Sequence, residues 1–291
     1  MVPLRIAAGL VIAALAMIAG PSGRPGRLAV SAQNSSALPK SLFSQSAVLV
    51  FEREFSSNDI SYLLFDARTG TLLSSRWENP AKPIPLGSLV KPFTTLAYAE
   101  THQYRFPAHV CRGEATGCWQ ARPHGKLDLA SAISVSCNSY FRELAANLTG
   151  EQLIPVANRF GLDPPDPTLS GPSLMGLGDQ WPIAPLKMAR AYLELYQRRD
   201  QPVVRDVLAG MAQSARTGTG KGVGEALKHA DALVKTGTAP CTHPHPAPGD
   251  GFVVAMVPAS QPELLLLVRV HSVPGATASL TAGRMLRSLE D

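Results

Sequence analysis

The sequence predicts an α+β fold: an antiparallel sheet flanked by helices, plus an all-helical lobe. Two observations carry this. Short apolar runs rich in β-formers stand near both ends of the domain, and helical periods fill the stretch between them. Ala47-Val48-Leu49-Val50-Phe51 and Ser61-Tyr62-Leu63-Leu64-Phe65 read as buried strands, and Thr69-Gly70 turns the second into Thr71-Leu72-Leu73. A helix is expected from Ser88 to about Glu100, and a helix pair, broken near Ser136, from Leu127 to Leu148. Pro185 to Arg199 carries Leu186, Ala189, Leu193 and Tyr196 at a helical period. Val203 to Arg216 is a further helix, and the Gly-rich Thr217 to Gly224 reads as a loop. Ala232-Leu233-Val234 enters a strand at Lys235, Gly251 to Val257 and Leu264 to Val270 follow as strands, and Ala276 to Leu289 closes as a helix.

Composition bounds the class. With 291 residues and 45% hydrophobic content, one large domain or two lobes sharing a core both fit. The net charge of +5 is modest, has no long basic run, and comes with no nucleic-acid motif. Met1 to Gly20 holds Arg5 followed by an apolar run from Ile6 to Ala19, which suits a signal-peptide core. Val30-Ser31-Ala32 offers a cleavage site, with Arg24 and Arg27 intervening. Residues 1–32 are therefore read as a signal peptide or a retained membrane anchor, and export to the cell envelope or periplasm is expected. Residues 33–44 read as a linker and 45–291 as the folded domain.

Ser88 and Lys91 stand three residues apart, one helical turn, so an amine lies within reach of a hydroxyl. A neutral lysine can take the proton of a serine nucleophile if burial or a second cation lowers its pKa. By itself the spacing is common on solvated helix faces. Ser136-Cys137-Asn138 and Lys235-Thr236-Gly237-Thr238 follow in order, and the three motifs together mark class A β-lactamases and penicillin-binding proteins.

On these residues the chain resembles the transpeptidase domain of penicillin-binding proteins, in the serine β-lactamase and D,D-peptidase superfamily, over roughly residues 45–291. Phe65-Asp66-Ala67-Arg68-Thr69-Gly70, His124 to Leu129 and Ala184 to Ala189 extend the match. Leu86 stands where the family usually has proline. The resemblance implies an active site between sheet and helical lobe. It assigns Ser88 as nucleophile, Lys91 as base, Ser136 as proton relay and Lys235 as the positive field for a substrate carboxylate. Asn138, Thr236, Gly237 and Thr238 would bind substrate, with the oxyanion hole at the backbone N–H groups of Ser88 and Thr238. Helix capping is the alternative role of Ser136 and Asn138.

The expected activity is D,D-transpeptidation of D-Ala-D-Ala stem peptides in peptidoglycan cross-linking, with acylation by β-lactams. An Asn at position 138 fits transpeptidases and carboxypeptidases, and no Glu-x-x-Leu-Asn deacylating loop follows Glu151-Gln152-Leu153. D,D-carboxypeptidase, weak β-lactamase, or a noncatalytic penicillin sensor or scaffold are the alternatives. Residues 1–45 hold no glycosyltransferase-like region and no pedestal domain of the usual size, which makes a separate glycosyltransferase a partner to expect. Catalysis needs no cofactor.

Cys111, Cys118, His124 and Cys137 are spaced C-x6-C-x5-H-x12-C. In an oxidising compartment Cys111 and Cys118 read as a disulfide; equally, the four residues are a Cys3His set for a structural zinc. Cys241, His243 and His245 lie in a Pro-rich turn, read as a solvated loop at the rim or, secondarily, a metal site.

Overall fold

The structure, a computed structural model, describes residues 40–242 and 246–290. Residues 1–39, with the signal or anchor segment and most of the expected linker, lie outside the described residues, as do His243 and His245. Among the described residues no helix is long and apolar enough to cross a membrane.

The first element is helix α1, Lys40–Glu54, where a strand was expected over 47–51 and a linker through 44. The β-branched run misleads because its burial follows a period of four: Ala47, Phe51 and Phe55 are buried, while Leu49 is 67% exposed. Phe51 meets the ring of Tyr62 edge-on at 5.0 Å and so fastens α1 to the sheet.

Strands β1 (Ile60–Asp66) and β2 (Thr71–Arg76) form the expected hairpin. Asp66 accepts at Oδ1 from the N–H groups of Arg68 and Thr69 and so shapes the turn. The chain returns to this sheet only at its end, with β5 (Leu233–Ala239), β6 (Asp250–Val257) and β7 (Leu264–Val270). The order is β2-β1-β7-β6-β5; each of its neighbouring pairs is antiparallel, so β5 is an edge strand.

Side chains alternate across this sheet and build two cores. Tyr62, Leu64, Val253, Ala255, Leu266 and Val268 face a layer made by α1 and α9 (Gly275–Arg287). Leu63, Phe65, Phe252, Val254, Leu265 and Leu267 face the helical lobe. That lobe holds α2 (Lys91–Thr101), α3 (Leu129–Ser134), α4 (Asn138–Ala146), α5 (Gly150–Arg159), α6 (Pro185–Gln197) and α7 (Pro202–Thr217). A two-stranded sheet, β3 (His109–Cys111) with β4 (Gly125–Leu127), projects from it.

The expected loop at 217–224 contains helix α8, Lys221–Ala226. Glycine's low helix propensity hides it. Here the missing side chain serves packing: a Cβ on Gly222 would stand 2.6 Å from Ser279 Oγ of α9.

Candidate active site

Ser88 lies in a 3-10 turn, Gly87–Val90, that runs directly into α2. The turn is held from two sides. Tyr192 of α6, fully buried, donates its hydroxyl to Leu89 O at 2.8 Å. On the other side the turn presses on β5 through two glycines. Gly87 has φ +58°, and a Cβ there would stand 2.2 Å from Thr238 O; a Cβ on Gly237 would stand 2.5 Å from Leu86 O. Beside the substrate-binding role expected of it from the sequence, Gly237 thus admits the Ser88 turn itself. Gly87→Ala combines left-handed strain with a backbone clash, so we expect a loss of about 2–4 kcal/mol. Denaturant unfolding measures it, and wild-type stability in that variant would refute the packing account.

Lys91, the first residue of α2, is fully buried. Its Nζ donates to Ser136 O at 2.8 Å, to Ser136 Oγ at 3.3 Å and to Asn138 Oδ1 at 2.7 Å, and it stands 4.9 Å from the centre of the Phe141 ring. Burial lowers its pKa to about 7, against the pull of the Cys137 and Cys118 thiols. Among the described residues no hydrogen bond links Lys91 to the Ser88 hydroxyl, which is half-buried in the cleft.

Ser136 sits at the break between α3 and α4 with φ +49°, in the left-handed region that non-glycine residues seldom occupy. Its Oγ accepts from both lysines, Lys91 and Lys235, the latter at 2.8 Å. The capping role is not the one taken: Asp128 caps α3 by accepting from Ser131 N, and α4 has Cys137 at its N-cap with no side-chain bond. Lys235, fully buried on β5, also donates to Thr236 O at 2.6 Å. Burial, and next the Lys91 amine, hold its pKa well below the ordinary lysine value.

The cleft has a volume of about 270 Å³ and is lined by Ser88, Ser136, Asn138, Thr236, Gly237 and Thr238, so three distant motifs meet at one place. Trp119, Leu177, Thr219, Pro274 and Ala276 complete it and were not singled out in the sequence. Thr236 donates its hydroxyl to Thr219 Oγ1 at 2.6 Å, and Thr238 Oγ1 accepts from Gly275 N at 2.9 Å. Trp119, 49% exposed, is held over the rim by its Nε1–H donating to Val135 O at 3.2 Å. Its place beside Cys118 in the sequence was the only available signal. Glu151 is exposed in the first turn of α5 and does not line the cleft.

Behind the cleft, Cys111 of β3, Cys118 and His124 of the β3–β4 connection, and Cys137 bring their ligand atoms within 4.8 Å of one another. Cys111 and Cys118 are free thiols, not joined in the disulfide that was one of the two alternatives. Both sulfurs lie 3.5 Å from His124 Nδ1, and Cys118 Sγ lies 3.8 Å from Cys137 Sγ. Tetrahedral zinc, with bonds of about 2.3 Å to sulfur and about 2.0 Å to nitrogen, sets such donors about 3.5–3.8 Å apart, so the residues fit the metal. Burial pushes the Cys137 thiol up to about 12, a cost that a coordinated cation would remove.

The family model described as penicillin binding protein transpeptidase domain matches residues 53–289. Among solved structures the chain is similar to the D,D-transpeptidase domain of a peptidoglycan glycosyltransferase from Eggerthella lenta, at 16% identity and TM-score 0.61, covering 86% of this chain and 80% of that one. It is also similar to Pseudomonas aeruginosa PBP2 in complex with WCK 5153, at 19% identity and TM-score 0.65, covering 86% and 73%. A penicillin-binding protein, PBP2, from Helicobacter pylori in complex with MreC gives 16% identity and TM-score 0.70, but the chain spans only 62% of that protein's length. No curated protein matches. The match runs from α1 to the last helix and takes in all three motifs that close on the cleft, and on this ground the chain belongs to the penicillin-binding protein transpeptidase domain family.

Proposed function

We propose that the protein is an exported acyl-serine D,D-transpeptidase that cross-links peptidoglycan stem peptides ending in D-Ala-D-Ala and is acylated by β-lactams at Ser88. One observation carries the reading: two buried lysines, from opposite sides of the cleft, share the Ser136 hydroxyl beside Ser88. Lys91 makes three donor contacts, which uses all three protons of an ammonium. Deprotonation removes one, and the contact to Ser136 Oγ, at 3.3 Å, is the longest. The freed lone pair then takes the Ser88 proton as Oγ attacks the carbonyl between the two D-alanines. The Ser88–carbonyl bond forms, the amide bond to the terminal D-alanine breaks, and its nitrogen needs a proton. Ser136, whose oxygen accepts from both lysines, passes its own O–H proton to that nitrogen, and Lys91 returns the proton it took from Ser88 to the Ser136 oxygen. Backbone N–H groups at 88 and 238 stabilise the oxyanion, each contributing about 3–4 kcal/mol.

The acyl group then passes to an amine of a neighbouring stem peptide. Hydrolysis to β-lactamase products is disfavoured because no Glu-x-x-Leu-Asn loop follows Glu151-Gln152-Leu153 and Glu151 does not line the cleft. A pure sensor or scaffold has no use for two buried amines around one hydroxyl. A separate glycosyltransferase is the proposed partner, in line with a similar solved structure, a peptidoglycan synthase complex that coordinates polymerization and crosslinking. We also propose a structural zinc at Cys111, Cys118, His124 and Cys137; no step of the chemistry uses it.

Incubation with a fluorescent penicillin, followed by mass spectrometry of the digested adduct, tests the nucleophile. The label should sit on the Ser88 peptide and vanish in Ser88→Ala. Undiminished labelling of that variant would place the nucleophile elsewhere.

A further inference from the structure

Cys241, Asp250 and His271 come from three separate places in the sequence and meet at one end of the main sheet. Cys241 follows β5, Asp250 opens β6 and His271 follows β7. The register pairs Ala239 with Asp250 and Gly251 with Val270, so the three ends are adjacent. We propose that these residues form a second metal-ion site, of the zinc class, that clamps the three strand ends at the rim of the cleft.

The donors converge on a single point. His271 Nδ1 lies 2.9 Å from Asp250 Oδ1 and 3.5 Å from Cys241 Sγ, and the three ligand atoms lie within 4.8 Å of one another. A Cys-His-Asp proton relay would set the carboxylate on one ring nitrogen and the sulfur on the other. Here both face the same nitrogen, as ligands of one ion would. A cation bonded to all three satisfies neutral imidazole, carboxylate and thiolate together. The S···N separation is already that of tetrahedral zinc, and the N···O contact needs to open by about 0.4 Å when metal replaces the proton.

Charge and softness narrow the ion. Asp250 is completely buried, and a buried carboxylate with a thiolate beside it balances a divalent cation. Sulfur and imidazole donors select zinc-like metals over magnesium or calcium. Asp250 is further oriented by the N–H groups of Thr242, at 3.5 Å to Oδ2, and of Ser272, at 3.4 Å to Oδ1.

The sequence gives such a clamp a purpose. Between β5 and β6 the chain carries Pro240, Pro244, Pro246 and Pro248, which have no N–H to close a turn. A metal at the base of this connection would tie its two ends, Cys241 and Asp250, to each other and to His271. Thr238 of the cleft lies three residues before Cys241, and Gly275, whose N–H it binds, lies four after His271. The clamp therefore braces both sides of that wall.

The test counts metal on the full purified chain, dialysed against excess zinc, freed of loose ion by gel filtration and measured by plasma mass spectrometry. Two zinc ions per chain are expected for wild type, and one each for Cys241→Ser and His271→Gln, with circular dichroism showing both folded. Two ions retained in Cys241→Ser overturn the proposal. So does a single wild-type ion that only Cys118→Ser removes, or no ion at all. A single ion lost in Cys241→Ser but kept in Cys118→Ser supports this site while sinking the zinc reading of the helical lobe. If neither rim variant folds, cobalt titration of metal-stripped wild type decides: a saturable step carrying the weaker thiolate charge-transfer band of a single sulfur supports the site, and a titration that shows only the stronger band of three sulfurs, or none, overturns it.

Discussion

Lys91→Arg should lose acylation by about a hundredfold to ten-thousandfold although the positive charge is kept. Arginine is not deprotonated in a protein, so it cannot take the Ser88 proton, and general-base catalysis is worth that range. Lys91 is poised for the task because burial brings its pKa to about 7. A lowered pKa means the neutral form grows as pH rises through about 7. Second-order acylation by a penicillin should therefore fall by about tenfold per pH unit below 7 and level off above about 8. Lys235→Arg should cost less, since the role proposed for that amine, holding a substrate carboxylate, asks for positive charge and not for deprotonation. It is not free, because Lys235 is fully packed and a guanidinium is larger. Equal losses in the two variants, or a pH-independent rate from 5 to 9, would show that Lys91 is not the base.

The candidate catalytic residues were legible because they are written as local motifs. Ser88 and Lys91 needed only helical spacing, and Lys235-Thr236-Gly237 only a strand. What the sequence could not reveal was who touches whom. Lys91 spends its hydrogen bonds on Ser136 and Asn138, 45 and 47 positions away. Gly237 yields to Leu86 O, and Thr236 to Thr219, contacts that exist only after the sheet closes. The fold was legible wherever pattern and propensity agree, as in β1, β6 and β7. It failed where they conflict: Ala47 to Phe51 has strand composition but buries every fourth residue, and the glycines of α8 hide a helix that uses them for close packing. Asp250 and His271 carried no signal, because nothing in the sequence brings the ends of β6 and β7 together with Cys241.

Removing metal from the helical lobe should unfold it before it stops the chemistry. Cys111, Cys118, His124 and Cys137 stand on the β3–β4 hairpin and at the α3–α4 break, so one ion would join a projecting hairpin to the segment that presents Ser136 and Asn138. Cys137 is buried in the lobe while Ser136 and Asn138, on either side of it, line the cleft. The left-handed turn at Ser136 is a strained conformation that surrounding structure must hold, at a cost of about 1–3 kcal/mol. Structural zinc sites contribute on the order of 10 kcal/mol to folding, so losing even half should lower the melting temperature by about 10–20 °C. Cys118→Ser, or a strong chelator applied to wild type, should show this drop in a thermal melt, and a reductant alone should not. The reverse pattern, sensitivity to reductant and indifference to chelator, would restore the Cys111–Cys118 disulfide. Penicillin labelling should decline only in step with the folded fraction. A Cys118→Ser protein that melts like wild type yet takes no label would make the cluster part of the acylation machinery, because only then could its loss be felt at Ser88 without being felt by the fold.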